Sequence, residues 1–170
     1  MTIINNIQNK RVIELGLFGN DKLIYTGICL KANQNFWLIV NYDFKTKCFD
    51  GYSVFRNKDV NTYSVWKKKE IVIKENNLDE FVLKLPIKKI NTFYSCLKKL
   101  DNRLIAFFTE SELDSYYVGK IISLDIKRIK IKLIDTKGNW TRLKTFNLFD
   151  IKFFSFDTKY EMRLSKKIKK

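Results

Sequence analysis

The chain has 170 residues and a formal net charge of +15, with 45 % hydrophobic and 15 % aromatic residues but only six glycines and one proline. That composition excludes a disordered chain and a Gly- or Pro-rich linker array, and it suffices for one substantial core or two small ones. The complete absence of histidine removes the commonest general base and metal ligand, and with them every Ser-His and Cys-His nucleophile.

The first segment, "MTIINNIQNKR", shows no signal-peptide pattern, and no apolar run anywhere approaches the roughly 18 residues of a membrane span. It reads as a short helix ahead of the first strand. "NKRVIEL" (Asn9 to Leu15) is apolar and strand-like, and after the polar "GNDK" (Gly19 to Lys22) comes "LIYTGICL" (Leu23 to Leu30). Gly27 inside that strand predicts a sharp bend or bulge. A second apolar strand, "NFWLIVNYD" (Asn35 to Asp43), a turn around Gly51 and the closing "KDVNTYSVW" (Lys58 to Trp66) complete a unit of roughly five short strands.

A helical connector follows. "NNLDEFVLKL" carries an Asn cap at Asn77 with Asp79 and Glu80 in its first turn. Pro86 either ends that pattern or starts a second helix, in which Ile87, Ile90, Tyr94, Leu97 and Leu100 fall near one face.

The strand pattern then recurs. "DNRLIAF" (Asp101 to Phe107) lies over "NKRVIEL", and "SYYVGKII" (Ser115 to Ile122) lies over "LIYTGICL". Tyr25 and Tyr117 stand 92 positions apart, as do Gly27 and Gly119. The alternating strand "RIKIKLID" (Arg128 to Asp135), a Gly138 turn and the closing "FDIKFFSF" (Phe149 to Phe156) keep the same order. In the alternating strand Ile129, Ile131 and Leu133 face one way and Arg128, Lys130 and Lys132 the other. Agreement of strand order, turn position and identities predicts an internal duplication. The expected fold is mainly β with a helical connector: two tandem five-stranded small barrels at 1–70 and 101–170, joined by 71–100.

A helix followed by a strongly bent five-stranded unit resembles the Sm-like and SH3-like small barrels. The segment "LIVNYD…GYSVFRNKDV" is similar to the Sm-like pairing of a central strand with a closing strand, but Asn57 stands where that pattern has Gly. The Sm-like nucleotide-binding loop has no recognisable counterpart. The resemblance implies a fold and no particular ligand residue, and it does not imply ring assembly.

Cys29, Cys48 and Cys96 are odd in number and lack CxxC spacing, so they read as buried thiols in a reducing, cytoplasmic setting rather than as disulfides or a zinc site. No cofactor or metal is implied. The acidic loop "TESELD" (Glu110, Glu112, Asp114) reads as a hairpin loop, with ion binding as the sharper alternative. The aromatic run "FFSFDTKY" (Phe153 to Tyr160) reads as a core strand, with a stacking platform as its alternative.

Net charge rises along the chain, +3 over 1–66, +5 over 67–103 and +7 over 104–170. A Lys-, Asn- and Ile-rich composition of the kind that an A+T-rich bacterial or phage genome produces accounts for part of it. The rest concentrates at Lys67, Lys68 and Lys69, on the outward face of Arg128, Lys130 and Lys132, and in the tail with Lys166 and Lys167. Cations beside Trp66 and Trp140 are the ingredients of a phosphate-tracking, base-stacking surface. The sequence therefore predicts a non-catalytic module binding RNA or single-stranded nucleic acid, with no membrane partner. The alternative is a protein-interaction role, such as an inhibitor, immunity or accessory protein of a bacterial or phage conflict system.

Overall fold

The computed structural model describes residues 12–17, 20–66, 89–100 and 102–168. It divides into two compact units, Met1–Phe93 and Tyr94–Lys170. The first holds β1 (Val12–Leu17), β2 (Asn20–Ala32), β3 (Phe36–Asp43), β4 (Cys48–Arg56), a 3-10 turn (Asn57–Asp59) and β5 (Val60–Val65). A short helix α1 (Phe93–Leu97) straddles the division. The second unit holds β6 (Leu104–Thr109), β7 (Glu112–Leu124), β8 (Arg128–Ile134), β9 (Trp140–Asn147), a 3-10 turn (Leu148–Asp150), β10 (Ile151–Phe156) and α2 (Lys159–Lys167).

The strands run β5-β1-β2-β3-β4 in the first unit and β10-β6-β7-β8-β9 in the second, so the fifth strand pairs with the first in both. The ladders whose registers are resolved are antiparallel. β2 and β7 are the long strands, 13 residues each, and each is bulged toward its following partner, between Cys29 and Lys31 and between Ile121 and Ser123. Those bulges lie 92 positions apart. Gly27 and Gly119 sit just before them for a steric reason. A Cβ added at Gly27 would lie 2.1 Å from the Val40 carbonyl oxygen, and one at Gly119 would lie 2.4 Å from that of Lys132. The neighbouring strand crosses there at a distance only glycine permits.

Two turns repeat at the same offset. Asn33 Oδ1 accepts from the backbone N–H groups of Asn35 and Phe36 at 2.8 and 3.1 Å, and Asp125 Oδ1 accepts from Lys127 and Arg128 at 2.7 and 2.8 Å. Asp43 and Asp135 cap the next hairpins in the same manner, through Lys45 and Lys137. These are Asx turns, in which a short polar side chain replaces a backbone acceptor.

Buried side chains lie on both faces of the first unit's sheet, Leu15 and Phe55 on one and Ile28, Leu38, Val40 and Tyr52 on the other, whereas Ile105, Phe107, Ile129, Ile131, Phe154 and Phe156 share one face in the second. Each such burial contributes about 1.5–3 kcal/mol. Asn57 has its own reason for standing where a small-barrel pattern has Gly: its Oδ1 accepts from Trp37 Nε1 at 2.7 Å, satisfying a buried indole.

Barrel closure does not follow. β4 and β5 are not paired with each other, nor are β9 and β10. In the first unit β5 takes its backbone partners from β1, and its Asn61 to Ser64 are exposed. The connector expected at 71–100 lies largely outside the described residues, including Asn77, Pro86 and Ile87. Of its second half, Ile90, Phe93, Cys96, Leu97 and Leu100 are buried and Tyr94 is half-buried. No helix among the described residues is long and apolar enough to cross a membrane.

Candidate nucleic-acid interface

Alternation along β8 puts Ile129, Ile131 and Leu133 in the core and leaves Arg128 and Lys130 exposed, with Lys132 half-buried. The registers then build a surface around that outward face. Arg128 stands opposite Asn147, Lys130 opposite Thr145 and Lys132 opposite Leu143 on β9. On the other side Lys120 of β7 stands directly opposite Lys132. Two ammonium groups on directly paired residues repel one another. Among the described residues neither they nor Lys130 forms an ion pair.

α2 bounds one end of this face. Its start is fixed by a capping box in which Thr158 and Glu161 exchange hydrogen bonds, and Ser155 Oγ donates to Glu161 Oε1 at 2.9 Å. Burial pushes the Glu161 carboxyl above the usual carboxylate range, opposed by the hydrogen bonds from Thr158 and Ser155. Leu164 packs with Leu104, Ala106, Val118 and Ile134, which anchors the helix on the outer side of β6, β7 and β8. The last turn abuts the β8–β9 hairpin. Lys167 Nζ donates to the Thr136 carbonyl at 3.3 Å, and a Cβ at Gly138 would lie 2.7 Å from that of Lys167.

Trp140 starts β9 immediately after that hairpin and is 37 % exposed. With Arg103, Lys120, Met162, Ser165 and other residues it lines a cleft of about 330 Å³ between the sheet and α2. Arg103 is held there by an ion pair with Asp157. At the opposite end of β8 a shallower groove of about 440 Å³ is lined by Lys127, Arg128, Thr145, Phe146, Asn147 and Phe149.

Of the residues singled out in the sequence, Lys130, Lys132, Trp140 and Lys167 thus come together on one side of the second unit. Arg128 sits at the far end of the same strand, and Lys166 is exposed in the last turn of α2. Lys67, Lys68 and Lys69 lie outside the described residues. Trp66 belongs to the first unit, where it stacks on Phe44 with centroids 4.7 Å apart and planes 18° from parallel. Lys120, Arg103 and Phe149 were not legible in the sequence, because tertiary placement rather than local pattern brings Lys120 opposite Lys132, Arg103 into the first cleft and Phe149 into the second. The one signal for Lys120 was its place after the glycine in "YVGK".

The rival sites resolve differently. Phe153, Phe154, Ser155 and Phe156 are all buried, so the aromatic run is a core strand. Glu112 Oε1 accepts from Lys144 Nζ at 3.1 Å and Oε2 from the Tyr117 hydroxyl, while Glu110 lies 3.8 Å from Lys152 Nζ. The described acids of that loop therefore neutralise lysines of their own unit. No group of three or more Cys, Asp or Glu side chains among the described residues is placed to hold a metal ion.

Comparison with protein-family models, with curated proteins and with solved structures returned no match. The functional reading rests on geometry and charge.

Proposed function

We propose that the chain is a non-catalytic module that binds RNA or single-stranded DNA on the outer face of its second unit. The observation that carries this reading is the direct pairing of Lys120 with Lys132, flanked by Lys130 and Arg128 and adjoining the exposed ring of Trp140. A phosphate backbone relieves such repulsion, and an exposed indole beside it offers a face on which an unpaired base stacks. In the same reading the two units descend from one duplicated five-stranded ancestor of the small-barrel class. The shared strand order, the bulges and the Asx turns at an offset of 92 support it. The test is a mobility-shift titration of the full chain with single-stranded RNA, single-stranded DNA and duplex at low salt. Binding to single strands supports the proposal, and no binding to any nucleic acid overturns it.

A second reading has its own observation. Tyr116 and Tyr160 are 53 % and 44 % exposed with ring centroids 6.4 Å apart, forming an aromatic patch suited to a protein partner. Pull-down with and without nuclease separates the two. A complex that survives both nuclease and high salt favours the protein partner.

A further inference from the structure

We propose that the outer face of β8 is a track for one extended single strand of RNA or DNA, about five nucleotides long, gripped at its ends by the rings of Phe149 and Trp140. This rests on the nucleic-acid reading above and specifies how the strand lies. The two clefts of the second unit sit at the two ends of that one strand, one containing Arg128 and Phe149 and the other Lys120 and Trp140. Between them Arg128, Lys130 and Lys132 project from alternate positions, spaced by about 6.6 Å. That spacing is on the scale of one nucleotide of an extended backbone, so each cation meets one phosphate. Lys120, opposite Lys132, supplies the fourth. Thr145 and Asn147, paired with Lys130 and Arg128, place hydrogen-bonding groups beside the track.

Phe149 is the residue that makes this more than a charged strand. The 3-10 turn buries Leu148 and turns the next side chain outward, leaving Phe149 55 % exposed. Its backbone N–H donates to Asn147 Oδ1 at 3.0 Å, which fixes where the ring begins. The middle residue of the corresponding 3-10 turn in the first unit is the exposed Lys58. An exposed ring at each end of a row of cations selects unpaired bases, because bases within a duplex have both faces covered by their neighbours.

Fluorescence anisotropy of labelled oligo-U and oligo-dT from two to eight nucleotides, with a hairpin duplex alongside, tests the track on the full chain. Affinity should rise with length to about five nucleotides and then level off. Phe149→Ala should weaken the five-nucleotide complex roughly tenfold, and Phe149→Trp should restore it, since stacking needs a ring. Thermal melts of the same variants check that a loss of binding is not a loss of fold. Salt-sensitive binding that Phe149→Ala leaves unchanged, or affinity that keeps climbing through to eight nucleotides, overturns the track and leaves the nucleic-acid reading standing. No binding at any length overturns both.

Discussion

Removing Lys130 and Lys132 together should reduce affinity for a single strand while leaving the fold at least as stable. The reasoning starts from four cations, Arg128, Lys130, Lys132 and Lys120, each placed to neutralise one phosphate. Single-stranded nucleic acid contributes a salt slope of about −0.7 per neutralised phosphate, so four contacts correspond to a slope of about −2.8. Between 50 and 200 mM salt the parental affinity should then fall about 50-fold. With Lys130→Ala and Lys132→Ala the slope should drop to about −1.4, and the same salt step should cost only about sevenfold. Both lysines point away from a core made by Ile129, Ile131 and Leu133, and Lys132→Ala removes a like charge directly opposite Lys120. Stability should therefore hold or rise by a few tenths of a kcal/mol. Anisotropy titrations at four salt concentrations give the slopes, and thermal melts of the same samples give the stability. An unchanged slope in the double variant, or a loss of binding that tracks a lower melting temperature, refutes the assignment of these lysines to phosphate contacts.

Gly119→Ala should destabilise the second unit by about 1–3 kcal/mol, because its Cβ would meet the Lys132 carbonyl oxygen at 2.4 Å and Ile131 Cγ2 at 2.5 Å. Urea denaturation reads this, and a loss below about 0.5 kcal/mol would show that the strands are not so close. Thiol titration of the native protein should find Cys48 fast and Cys29 and Cys96 slow, since Cys48 is exposed and burial pushes the other two thiols up to about 12; three equally fast thiols would contradict this. The raised Glu161 carboxyl binds its proton more tightly in the folded state than in the unfolded one. Its contribution to stability is therefore full below the ordinary carboxylate range and is lost as pH rises through the raised value. Glu161→Gln should flatten melting temperature against pH in that window, and an unchanged profile would assign the dependence elsewhere.

Much of the architecture was legible because it is written in local periodicity. The alternation in "RIKIKLID" placed Ile129, Ile131 and Leu133 inside without any knowledge of the partner strands, and Gly27 and Gly119, 92 positions apart, fall at matching places in a strand order that recurs. The Asx turns at Asn33 and Asp125 were equally readable in principle, as single polar residues at the ends of apolar runs, and went unread. Barrel closure was inferred from that local resemblance and does not occur. Whether β4 meets β5 depends on the facing surfaces of two strands, and in β5 exposed positions run together from Asn61 to Ser64.

The candidate site divides along the same line. Composition and spacing alone determined that the chain is strongly basic, mainly β, without histidine chemistry, and that one strand carries its cations on a single face. Only tertiary structure decided which other groups join that face. Lys120 comes from the preceding strand, Trp140 from beyond the Gly138 hairpin and Phe149 from the 3-10 turn after β9. The aromatic run read as a core strand is buried from Phe153 to Phe156, while Tyr160 at its end is exposed on α2. Side-chain alternation is a property of a strand by itself, whereas register and burial are properties of its neighbours, and they are set by which apolar surfaces the folded chain can cover.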